Sequence, residues 1–176
     1  MIKPILMFSP FSRLLLLLLC VVLSLLGAYF SLWPLLIFST LCSIALLWGY
    51  YKIGTVPLAL IKARKNEFDK AEKVLDLIQN PDRLSKKYKA YYYFIRGFIA
   101  RERDQFKESK TCLDEVLAIG MKMESDRAMT LLALADMELI DRHEERARAY
   151  FIQIKNLKVN ASLMPSIRKM QEFLNV

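Results

Sequence analysis

Residues 14–51 form a run of 38 with no Asp, Glu, Lys, Arg or His. A single helix of that length would measure about 57 Å, nearly twice the roughly 30 Å of bilayer hydrocarbon. Two helices of about 17 residues fit instead. The break belongs at Ser31-Leu32-Trp33-Pro34, because Pro34 lacks a backbone donor and disfavours helical geometry at Trp33. The expected spans are 14–30 and 35–51. Tyr29, Phe30 and Trp33 would mark one headgroup layer, and Trp48, Tyr50 and Tyr51 the other.

Charge position sets the orientation. Lys3 and Arg13 precede or open the run, and Lys52, Lys62, Arg64 and Lys65 follow it before the first acid, Glu67. Six of the eight excess positive charges therefore flank the apolar stretch. By the positive-inside bias, residues 1–13 and the domain at 52–176 are both expected in the cytoplasm. The chain then reads as a multi-pass integral protein of a bacterial inner membrane. A cleaved signal peptide, with Arg13 as its charged region, is the competing reading. Gly27-Ala28 matches a cleavage site poorly, and the second segment with its following cations would still hold the domain inside. A nucleic-acid binder concentrates excess cations on its folded domain, and this domain is nearly neutral beyond Glu67. Neither span carries an ionisable residue, so no ion path is readable. Gly27, Ala28, Ser39, Ser43, Ala45 and Gly49 are small enough to allow close helix contact.

The remaining segment, about 125 residues, is sized for one modest domain, and it repeats itself with a register of 38. Ala71, Ser109 and Ala147 are all small; Leu75, Leu113 and Phe151 follow at i+4, and Ile78, Val116 and Ile154 at i+7. Ala59, Gly97 and Ala135 are small again, twelve positions earlier in each copy. Small residues at two crossing points, with large apolar ones at helical spacing, describe pairs of helices packed as hairpins. Thr55 is expected to cap a helix with Pro57 in its first turn, Asn80-Pro81-Asp82 to break between units, and Gly120 and Asn160 to end the second and third. Ile167, Met170, Phe173 and Leu174 form one apolar stripe on a last helix, as the open end of an array requires. No segment alternates with period two for long enough to argue for a strand, so the fold class is all-α.

The stretch from Asn66 to Leu75 closed by Pro81, then Gln105 to Leu113, then Arg146 to Phe151, resembles the second helix of the tetratricopeptide repeat. Tyr93 and Gly97 fit first-helix positions of the middle copy. The resemblance implies an α-solenoid of three hairpins, at 55–83, 85–120 and 123–158, with a capping helix at 163–174. The third copy departs from it at Glu144, where Phe68 and Phe106 stand in the others, and Arg96 replaces an apolar residue. The resemblance also implies that first helices line a concave groove. It places Tyr91, Phe94, Phe98, Arg101, Met129, Leu132 and Asp136 there as partner-binding residues. Chaperone-binding members grip a terminal carboxylate with Lys and Asn, but Val56, Leu60, Phe94, Phe98, Leu132 and Asp136 occupy the corresponding places, so that partner class is not expected.

Catalytic chemistry is not legible. His143 has no second histidine at helical spacing, the three cysteines form no C-x-x-C, and five glycines make no phosphate-cradling loop. No enzyme, cofactor, metal or small-molecule substrate is expected. The expected function is a membrane-anchored scaffold that binds a protein partner at the cytoplasmic face. The alternative is an accessory subunit packed through its transmembrane hairpin into a larger complex. Lys62, Arg64 and Lys65 are expected to rest on anionic lipid, each contributing on the order of 1 kcal/mol near the surface.

Overall fold

The computed structural model describes residues 10–30 and 33–174. Residues 1–9 of the expected N-terminal segment, with Lys3, and Ser31 and Leu32 of the expected break lie outside the described residues. The described chain is all-helical. It divides into two compact units, 1–89 and 90–176, and the division falls within a single helix.

In the first unit, α1 (Pro10–Tyr29) packs on α2 (Trp33–Ile53). Pro34 is the second residue of α2, where its missing N–H costs nothing because the first-turn donors have no intrahelical partner. The two helices meet through small residues: Gly27 is buried, Ser39 is 3% exposed, and the Ser24 and Ser39 hydroxyls are hydrogen-bonded at 2.7 Å. Their outer faces are bare and apolar, with Leu18, Leu25, Phe38, Ile44 and Trp48 all exposed. Among the described residues, one helical segment, Leu36–Ile53, is long and apolar enough to cross a membrane; Leu15–Tyr29 is a shorter apolar helix.

The same unit contains α3 (Val56–Ala63) and α4 (Phe68–Leu75), packed on each other. Ala59 and Ala71 are both fully buried, as small residues at a crossing must be. Pro57 sits in the first turn of α3, but Thr55 does not cap it through its side chain. The hydroxyl donates instead to the Val74 carbonyl at 2.7 Å. Val74 lies in the last turn of α4, whose carbonyls lack helical N–H donors, so Thr55 satisfies an orphan group across the hairpin. Asn80 behaves as expected of a turn residue, its side chain accepting the Asp82 amide at 2.9 Å ahead of a short 3-10 turn at Pro81–Arg83.

Helix α5 (Lys86–Glu102) leads into the second unit, followed by α6 (Phe106–Ile119), α7 (Glu124–Ile140), α8 (Glu144–Lys155) and α9 (Met164–Leu174). In the α5–α6 pair a Cβ on Gly97 would meet Leu113 at 2.7 Å, and Ser109 donates to the Gly97 carbonyl at 2.8 Å. In the α7–α8 pair, Ala135 and Ala147 are fully buried beneath Phe151 and Ile154. Met170 and Leu174 of α9 close the same core. Phe173 does not: it is 69% exposed, a correction to the expected stripe. Residues 167, 170 and 174 share one face at helical spacing, and position 173 lies about 100° around the helix from 174.

Each hairpin turns in the same way. Asn66, Asp104 and Arg142 adopt left-handed φ of 58°, 57° and 60°. The next amide reaches back to the carbonyl five residues earlier: Glu67 to Lys62, Gln105 to Ala100, and His143 to Glu138, at 3.1, 2.9 and 2.8 Å. This is a Schellman-type helix end followed directly by a new helix. Glu144 leaves the turn unchanged, and as an acid in the first turn of α8 it suits the helix dipole. Asparagine and aspartate tolerate the left-handed region; arginine does so at a cost. Arg142→Gly is therefore expected to stabilise the protein by about 0.5–1 kcal/mol, read as a Tm rise of a few degrees for the full chain in detergent.

Candidate partner-binding site

Positions 91, 94, 98 and 101 lie along one face of α5, and 129, 132 and 136 along one face of α7. The structure separates these residues by exposure. Tyr91 and Phe94 are buried, at 8% and 6%. The Tyr91 hydroxyl donates to the buried Asp126 carboxylate at 2.8 Å, and the Phe94 ring packs against Phe98 with centroids 4.7 Å apart. Phe98, Met129 and Leu132 are half-buried, and Phe98 and Leu132 rest on the core of this unit.

Arg101 and Asp136 form an ion pair, the arginine Nη2 donating to Asp136 Oδ2. Together with Leu132 they line a cleft of about 520 Å³, with Leu139 and Ile140 of α7 and Lys169, Met170 and Phe173 of α9. Three of the seven expected residues thus converge on one cleft, while Met129 is not among its lining. Ile140 is 54% exposed and Phe173 69%. Two large apolar side chains are thus bared beside a charged pair, an apolar centre with a polar rim. Sequence reasoning missed Phe173 and Ile140. The available signal was that Phe173 breaks the i, i+3, i+7 spacing of its neighbours.

A second cluster is structural. Lys110 donates to Glu138 at 2.7 Å and to Asp141 at 2.6 Å, and His143 Nδ1 lies 3.0 Å from the other Glu138 oxygen. Burial pushes the Glu138 carboxyl up, but Lys110 and His143 outweigh it and hold it below its usual 4.5. The hydrogen bond from Lys110 likewise holds Asp141 below its usual 3.8. Burial pushes Lys110 down, and Asp141 and Glu138 more than offset this, leaving it above its usual 10.5. The acids therefore contribute stability that is complete above about pH 4.5. It is lost as pH falls through their lowered values. The lysine contributes stability complete below 10.5 and lost as pH rises through its raised value. The urea midpoint is expected to be flat near neutrality and to fall in acid, and Lys110→Met to lower it at pH 7 and make the acid limb shallower.

No protein-family model, curated protein or solved structure matches this chain.

The remaining expected positions lie in the first unit. Lys62 pairs with Glu67 at 2.9 Å, while Arg64 and Lys65 are exposed at the turn between α3 and α4. Cys112 is 7% exposed and burial pushes its thiol up, which suits a packing residue and not a nucleophile. Among the described residues, no three His, Cys, Asp or Glu side chains are grouped to hold a metal ion.

Proposed function

We propose that this protein is a membrane-anchored, tetratricopeptide-like adaptor that binds a protein partner at the cytoplasmic face. The paired helices α1 and α2 are its transmembrane hairpin, and the helical hairpins that follow form a short solenoid. The observation that carries the reading is the cleft with bared Phe173 and Ile140 beside the Arg101–Asp136 pair, in a chain that also bears an apolar helix of spanning length. The 38-residue recurrence of the left-handed turn supports the repeat character. The exposed apolar faces of α1 and α2 support lipid contact, because a water-facing surface of that composition would drive aggregation.

The accessory-subunit alternative needs small residues on the hairpin's outer face. Gly27 and Ser39 are buried, with Ser39 bonded to Ser24, while Ala28 and Ala45 are exposed. The adaptor reading rests on the cleft beside Phe173 and Ile140. Ile140→Asp with Phe173→Asp changes two exposed side chains and leaves the core intact. Partner capture from native membranes is expected to weaken roughly 30-fold or more, the loss of one hot spot of about 2 kcal/mol. Exchanging residues 1–51 for an unrelated two-span anchor is expected to preserve capture. Loss of capture on that exchange, with the double variant still binding, would instead establish the accessory subunit.

A further inference from the structure

The end of α2 and the near end of the α3–α4 hairpin are joined by more than the chain. Gly54 turns the backbone at φ +59°, with Leu84 and Ile78 at 3.0 and 3.4 Å from where a Cβ would lie. The Ser85 amide donates to the Lys52 carbonyl at 2.9 Å. The Arg83 guanidinium lies over the Tyr51 ring, 5.6 Å from its centroid. These contacts enclose a cleft of about 320 Å³ lined by Tyr51, Leu77, Gln79, Asn80 and Arg83 among others. Its lining holds one cation and no acid. The neighbouring Asp82 carboxylate is engaged by Lys89 at 2.7 Å.

The position of this cleft along the chain gives it meaning. The apolar segment ends at Ile53, so Tyr51 stands where hydrocarbon would give way to headgroups. Leu77 is 58% exposed on the same rim. Lys62, Arg64 and Lys65 are at the opposite end of α3, whose eight residues measure about 12 Å. We infer that the Tyr51–Leu77–Arg83 cleft binds the headgroup of an anionic phospholipid from the bilayer that α2 enters. Arg83 pairs with the phosphodiester, the Asn80 and Gln79 amides donate to it, and Leu77 dips into the acyl boundary. The inference rests on the reading of α2 as a membrane span, and it moves the lipid contact away from the basic cluster. Charge complementarity and continuity with the apolar segment both select this occupant.

The test uses the full chain in nanodiscs. Trp33→Phe and Trp48→Phe remove the native indoles, and Leu77→Trp supplies a reporter at an exposed position. Lipids brominated near the headgroup are the quenchers. The introduced indole is expected to be quenched at least twofold more by brominated phosphatidylglycerol than by brominated phosphatidylcholine, and Arg83→Gln to abolish that difference. Equal quenching by both lipids, or by neither, would overturn the inference if Trp48 of a Trp33→Phe chain that keeps Leu77 is quenched. If Trp48 is not quenched either, the membrane span itself fails and the headgroup site goes with it.

Discussion

Phe151→Ala is expected to cost about 3–5 kcal/mol, a large share of the 5–15 kcal/mol that holds a typical domain together. Phe151 is 1% exposed and lies in the core formed with Leu131, Ala135, Ala147, Ile154, Met170 and Leu174. Removing the ring loses its burial and leaves a cavity that helices on three sides cannot close without moving. The neighbouring Ile152 is 54% exposed, so Ile152→Ala is the matched control and is expected to change stability by about 0.5 kcal/mol or less. Thermal unfolding of the full chain in detergent should separate the two by more than about 10 °C. Equal melting temperatures would mean that α8 does not pack as described.

The second large effect is expected at the α5–α6 crossing. Gly97→Ala places a methyl 2.7 Å from Leu113 Cδ2 and 2.9 Å from its Cγ. Leu113 is fully buried, so its side chain would have to shift against the residues packed around it. Overpacking of this kind costs about 1–3 kcal/mol, against a gain of up to about 1 kcal/mol in helix propensity. The net change is destabilising, and Leu113→Ala in the same chain should reverse its sign by vacating the contact. The buried thiol of Cys112 lies at the same crossing, so its rate of alkylation is a direct readout of whether the seam has opened.

These two sites were legible because they depend on size alone. Ala59, Ala71, Ser109, Ala135 and Ala147 are all fully buried, as a repeated small residue at helical spacing predicts. What the pattern did not resolve was direction. An amphipathic face identifies a side that meets something apolar, but a helix seam and a partner groove carry the same stripe. Hence Tyr91 and Phe94 read as groove residues yet are buried. The bonds between α5 and α7 are also invisible to the repeat. The register relates positions 38 apart, whereas the α5-to-α7 bonds Tyr91–Asp126 and Arg101–Asp136 join residues 35 apart. That offset is set by how neighbouring helices stagger, which no local spacing encodes. Thr55 shows the same limit on a smaller scale, its hydroxyl drawn to an orphan carbonyl nineteen residues away instead of to its own helix.

The adaptor account is tested most directly by a photoreactive phenylalanine analogue at position 173 of the full chain, irradiated in its native membrane. The account predicts one discrete protein adduct, lost with Ile140→Asp, that stays with the membrane pellet through an alkaline wash. Irradiation that yields no protein adduct, or release of the chain by alkali, would contradict it.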